Sequence, residues 1–144
     1  MKILSLLFLT IFLGKSCEGQ NKQDLESAVI EYTANTRGFY QKITIQNEMV
    51  TISKDRSGQD KAVATKIAAE DWEELVDCFN KMELDSLSKL KAPTEKRFHD
   101  GAAIGHLKLT YKGKTYETSD FDHGFPPKEI QQFVAKINSF ITEE

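Results

Sequence analysis

The chain has 144 residues and a formal net charge of −3, with 40% of its residues hydrophobic and 28% charged. A chain of that length makes one domain that buries a core without disulfide staples, and its acidic balance argues against a nucleic-acid partner, whose phosphates are held by Lys and Arg. Its two cysteines, Cys17 and Cys78, form neither a disulfide framework nor a CxxC pair.

Lys2 followed by the apolar run over residues 3–14 reads as a cleaved export signal, residues 1–16. The run is about a dozen residues long, short of the ~20 that a helix needs to cross a bilayer. Cleavage before Cys17 would leave that cysteine first, with small Ser16 before it and Gly14 third back, in the manner of a bacterial lipoprotein signal whose cysteine takes a fatty acyl chain such as palmitate. The alternative is an ordinary secretory cut after Gly19, which would leave Gln20 first in a soluble periplasmic protein. Loss of Lys2 and Lys15 with the leader leaves 17 basic against 22 acidic residues, a mature charge of −5. Residues 17–27 are polar and aperiodic and are expected to form a lipidated N-terminus and flexible tether, with 28–144 as a single domain.

Alternation begins at Val29. Residues 29–33, and more clearly Phe39, Gln41, Ile43 and Ile45 against Tyr40, Lys42, Thr44 and Gln46, repeat with period two and are predicted strands. With Asn47 and Glu48 as a two-residue turn, Ile45 falls opposite Val50 and Ile43 opposite Ile52, all on one face of a hairpin. A polar loop over 55–61 then leads to Val63, Thr65 and Ile67, a further short strand. Trp72, Leu75, Val76, Phe79 and Met82 predict a helix over 69–84, and Glu70, Asp71, Glu73 and Glu74 suit the positive end of its dipole without a catalytic role.

A second unit follows the same plan. Leu107, Leu109 and Tyr111 alternate, Lys112 and Gly113 turn the chain, Tyr116 and Thr118 return, and Pro126 and Pro127 open a second helix. Its apolar positions Ile130, Phe133, Val134, Ile137 and Phe140 match those of the first helix one for one at a constant offset. The expected fold is α+β, an antiparallel sheet of about 5–6 strands with two amphipathic helices packed on one face, from a hairpin-then-helix unit used twice.

Two loops, 89–103 and 119–127, look least like scaffold. They carry His99, Asp100, Asp120, Asp122 and His123, a candidate ligand or metal loop if the two meet at one end of the sheet, because imidazole and carboxylate bind divalent ions and serve as general bases. Turn chemistry accounts for the same residues: Asp100-Gly101 and Asp122-His123-Gly124 are turn sequences in which Asp accepts backbone N–H bonds, and Pro127 suits the first turn of a helix. There is no metalloprotease HExxH spacing, no phosphate-cradling glycine loop and no nucleophile motif. His106, on the strand face opposite Leu107 and Leu109, is expected to be exposed. Lys89, Lys91, Lys96 and Arg97 suit an anionic ligand or acidic headgroups, or simply keep the loop soluble. Phe98, Phe121 and Phe125 would mark an interaction surface if they pointed outward, but are expected to plug the core. Cys78 is expected to be buried and free.

The start Ser16-Cys17-Glu18-Gly19-Gln20-Asn21, the segment Lys91-Ala-Pro-Thr-Glu-Lys-Arg-Phe-His-Asp-Gly-Ala-Ala and the segment Phe121-Asp-His-Gly-Phe-Pro-Pro resemble small uncharacterised lipoproteins of Bacteroidota. The resemblance implies export to the envelope and a single domain, and it carries over no catalytic residue. The polar, lysine-containing stretch after Cys17 is similar to what those bacteria use for outer-membrane or surface export. The sequence is thus expected to encode a lipid-anchored, non-enzymatic binding or interaction module of the cell envelope. It would be monomeric and without a cofactor, its partners being the membrane, through the lipid on Cys17, and an envelope protein or small ligand. The alternative is an envelope metal-assisted hydrolase using His99, Asp100, Asp120, Asp122 and His123. Intact-mass measurement of the mature protein is expected to show a diacyl or triacyl addition on Cys17, with partitioning into detergent; a water-soluble species beginning at Gln20 refutes lipidation.

Overall fold

The computed structural model describes residues 24–142; the expected export signal, Cys17 and the first part of the expected tether lie outside them. Strands β1 (Val29–Thr36), β2 (Phe39–Gln46), β3 (Met49–Ser53) and β4 (Ala64–Lys66) run as an antiparallel meander into helix α1 (Ala69–Asn80). Strands β5 (Ile104–Tyr111) and β6 (Lys114–Glu117) form a hairpin, and the short β7 (Phe121–Asp122) precedes helix α2 (Gln131–Asn138). The strand order is β4-β3-β2-β1-β5-β6, with β7 beside β5. This is the expected antiparallel α+β sheet, here open and extended by β7; the first unit places four strands before its helix where the second has a hairpin and β7. Among the described residues, no helix is long and apolar enough to cross a membrane.

Turn chemistry sets the registers. Asn47 and Glu48 have φ of 53° and 59°, and Lys112 and Gly113 have 49° and 74°, the left-handed pair that a two-residue hairpin requires. Ile45 accordingly faces Val50, and Ile43 faces Ile52. In the central strand β1, Ile30, Tyr32 and Ala34 point into the core. The alternate positions form the polar face, where Glu31 pairs with Lys42 at 2.7 Å and Lys108 at 3.5 Å.

The helices close the core. Phe79 of α1 stacks against Phe133 of α2 with ring centroids 6.1 Å apart and meets Tyr111 of β5 edge-on at 5.7 Å. The first helix stops at Asn80, short of the expected 84; Met82 packs into the core beyond it, and Leu84 and Leu87 do so from a 3₁₀ turn over Leu84–Lys89. Their three-residue spacing puts both on one side of such a turn. Asp71 and Glu74 do more than meet the helix dipole: Lys136 of α2 reaches them at 2.7 and 2.6 Å and ties the helices together. The fold also begins before the expected boundary at 28. Leu25, in a 3₁₀ turn capped by Asp24, is 2% exposed, and the Asp24 N–H donates to the Tyr111 hydroxyl.

Gly105 of β5 permits one close approach. A Cβ there would stand 2.8 Å from Phe121 Cε2 and 3.1 Å from the Tyr32 hydroxyl, and both rings are fully buried. Gly105→Ala is expected to destabilise the protein by about 1–3 kcal/mol through overpacking, read as a lower denaturant midpoint; an unchanged midpoint would show that Phe121 yields freely.

Candidate functional site

Asp122 joins the two loops. It is fully buried, and its carboxylate accepts from the Thr94 hydroxyl at 2.5 Å, the Lys96 N–H at 2.7 Å, the Arg97 N–H at 3.0 Å and the Arg97 guanidinium at 3.1 Å. Burial alone would raise its pKa, but the bonds from Thr94, Arg97 and Lys96 outweigh that and hold the carboxyl well below the usual aspartate range. The backbone N–H bonds expected for this residue therefore come from the other loop rather than from its own turn. That turn is closed by the Phe125 N–H on the Asp122 carbonyl at 2.8 Å.

The other four candidates separate. His99 and Asp100 stand exposed at the end of the 3₁₀ turn Lys96–His99. Asp120 lies 3.0 Å from His106 Nδ1, while Glu117 lies 3.1 Å from His106 Nε2. His106 is thus only partly exposed, held between two carboxylates on the polar face. His123 turns to Tyr32, whose hydroxyl is 2.8 Å from its Nδ1. Among the described residues, no group of three or more His, Cys, Asp or Glu side chains is placed to hold a metal. The alternative in which the five residues meet at a metal finds no support in this geometry, since Asp122 is engaged by protein donors and Asp120 by His106.

The three phenylalanines divide as well. Phe121 plugs the core, whereas Phe98 is 66% and Phe125 44% exposed. Each exposed ring carries a cation, Arg97 at 4.3 Å from Phe98 and Lys96 at 4.2 Å from Phe125. Cys78 is free and half-buried, and burial raises its thiol pKa, which weakens it as a nucleophile.

Beside His123, between the start of β2 and α2, lies a cavity of about 780 Å³, within the usual size range of small-molecule sites. One wall is Phe39, Tyr40 and Gln41 of β2; the facing wall is Val134, Ala135 and Asn138 of α2. Arg56 steadies the first wall by donating to the carbonyls of Thr36 and Phe39, and its guanidinium lies 5.8 Å from the Tyr40 ring centroid. The Phe39 ring lies 6.1 Å from that of His123.

The buried polar groups at this cavity are poorly matched. Burial pushes the Tyr32 hydroxyl up to about 12, against a smaller opposing effect of the neighbouring Asn138 carboxamide, and burial lowers the His123 pKa below its ordinary value. Gln41 is 5% exposed, and its Nε2 has no hydrogen-bond partner among the described residues; the same holds for Asn138 Oδ1. Asn138 Nδ2, by contrast, donates to the Val134 carbonyl at 3.0 Å. Leaving such a buried group unpaired costs about 1–3 kcal/mol. Sequence reasoning missed both carboxamides, although one signal was present: Gln41 falls in the apolar alternation with Phe39, Ile43 and Ile45, where a polar amide has no structural reason to be.

No protein-family model, curated protein or solved structure matches the chain. The functional reading therefore rests on the geometry and the leader.

The two perturbed groups beside the cavity give a pH signature. The lowered pKa of Asp122 means that its contribution to stability is complete above the unfolded aspartate value near pH 4 and is lost as the pH falls below it. His123 also has a lowered pKa, so the unfolded chain takes up a proton that the folded ring refuses, and stability falls as the pH drops below about 6.5. Chemical denaturation from pH 8 to 3 is expected to show both phases. His123→Gln should remove the upper phase, and Asp122→Ala should shrink the lower, to which Glu31 and Asp55 also contribute, and cost on the order of 3 kcal/mol at pH 7.

Proposed function

We propose that this protein is a non-enzymatic binding module of the bacterial cell envelope, anchored by a fatty acyl chain on Cys17, that takes a small ligand in the cavity between β2 and α2. The observation that carries the reading is the pair of buried, unpartnered carboxamide atoms, Gln41 Nε2 and Asn138 Oδ1, at the wall of that cavity. Folded proteins rarely leave such groups unmatched, and a ligand would complete both. The leader and Cys17 supply the address.

The placement of the cavity suits a tethered domain. The described chain starts at Asp24, against Tyr111 at the far end of β5, whereas the cavity lies at the Gly38–Gln41 end of β2. The length of β1 separates the two, about 25 Å for its 8 residues. The chain thus enters the described domain at the end of β1 opposite the cavity. Metal-assisted hydrolysis, the other expectation, lacks a convergent ligand set among the described residues.

The test separates binding from folding. Gln41→Leu keeps the side-chain volume and removes the unpaired amide, so it is expected to stabilise the protein by about 1 kcal/mol while abolishing fragment binding at the cavity. Fragment screening of the mature protein by NMR should give chemical-shift changes centred on Gln41, Val134 and Asn138. A destabilised Gln41→Leu protein, or a screen in which no fragment perturbs these residues, refutes the reading.

A further inference from the structure

We infer that the cavity recognises a small organic carboxylate bearing an amide next to its charge, the chemistry shared by a peptide C-terminus and an N-acyl amino acid; this rests on the binding reading above.

Charge comes first. Among the described residues that line the cavity, Lys54 is the one with a formal charge and none is acidic. Lys54 makes no ion pair with any described residue. The β2–β3 ladder ends with Lys42 opposite Ser53, and Lys54 is the next residue, its backbone N–H donating to the Asp60 carboxylate at 3.2 Å. An ammonium-bearing residue just past the end of β3 and a free amide donor on β2 therefore line the same cavity. That arrangement favours an anion and disfavours a cation in the same place.

The facing wall narrows the class. Asn138 Oδ1 accepts and Gln41 Nε2 donates, and neither has a partner among the described residues. A secondary amide offers the complementary N–H and C=O in one planar unit. A free α-amine would instead bring an ammonium beside Lys54, with no acidic side chain among the described lining residues to meet it. An acylated ligand nitrogen suits the described lining residues better than a free one. Val134, Ala135 and Ile141 supply an apolar surface for an aliphatic side chain, and a cavity of about 780 Å³ holds a ligand larger than one amino acid.

N-acetyl-leucine, its methyl ester and 4-methylpentanoate, titrated into the mature protein and followed by NMR and calorimetry, test each element. N-acetyl-leucine is expected to shift Gln41, Lys54 and Asn138. The ester, which lacks the charge, and 4-methylpentanoate, which lacks the amide, should each bind at least tenfold more weakly. Lys54→Gln, a change at an exposed residue, should bring the acid and the ester to equal affinity. An acetylated tripeptide with a free C-terminus separates the two sources: tighter binding than N-acetyl-leucine identifies a peptide end, and weaker binding an N-acyl amino acid. Equal binding of acid and ester in the unaltered protein overturns the inference, as does 4-methylpentanoate binding as well as N-acetyl-leucine. If other fragments reach the cavity and N-acetyl-leucine does not, the inference alone falls; if nothing reaches it, the binding reading falls with it.

Discussion

Asp122 is the group on which the cavity end of the sheet depends. A carboxylate with no solvent exposure is tolerated only when donors replace its water, and every donor it uses belongs to Thr94, Lys96 or Arg97 in the preceding loop. The dependence is mutual. The 3₁₀ turn Lys96–His99 buries none of its side chains, so the turn itself is held by polar bonds to Asp122, while Leu90 and Ala92 earlier in the loop pack against the core. The next residue inherits this geometry: the His123 N–H is fixed on the Ala103 carbonyl at 2.8 Å, and its ring meets Tyr32. One carboxylate thereby joins two loops distant in sequence and orients the ring that forms one corner of the cavity.

A trade of stability against recognition accounts for the opposite wall. Gln41 stands where the strand pattern calls for an apolar residue, in line with Ile43 and Ile45. Such violations of the local pattern concentrate at functional sites, where the cost is offset by packing elsewhere. Here the offset comes from the two-helix core, with Leu75, Phe79, Phe133 and Ile137 almost fully buried, and from Lys136 bridging the helices to Asp71 and Glu74. Gly105 adds to it by letting Phe121 lie directly against β5 below Tyr32.

Much of the fold was legible residue by residue. Alternation in β2 and β5, with turns whose residues accept positive φ, specified both hairpins and their registers, because a slip of one residue would turn every apolar side chain to solvent. Helix ends were less legible. The apolar stripe continues through Met82, Leu84 and Leu87, and periodicity does not separate an α-helix from the 3₁₀ turn that carries its last members. Leu25 was absorbed into the tether because one apolar residue among polar neighbours has no period, yet it packs into the core.

The site was legible only in part. The two loops that drew notice do meet, through Asp122, but its partners are loop N–H groups and the Thr94 hydroxyl, whose positions no spacing reveals. Likewise Gln41, Lys54, His123 and Asn138 come from four separate segments, and of these Gln41 alone breaks the pattern of its own stretch. The sequence by itself determined the strands, the helices and their inward faces, since these follow from local periodicity and turn chemistry. Only the tertiary structure decided which polar groups found partners and which were left without, because a hydrogen bond is settled by distances of a few ångström between segments far apart along the chain.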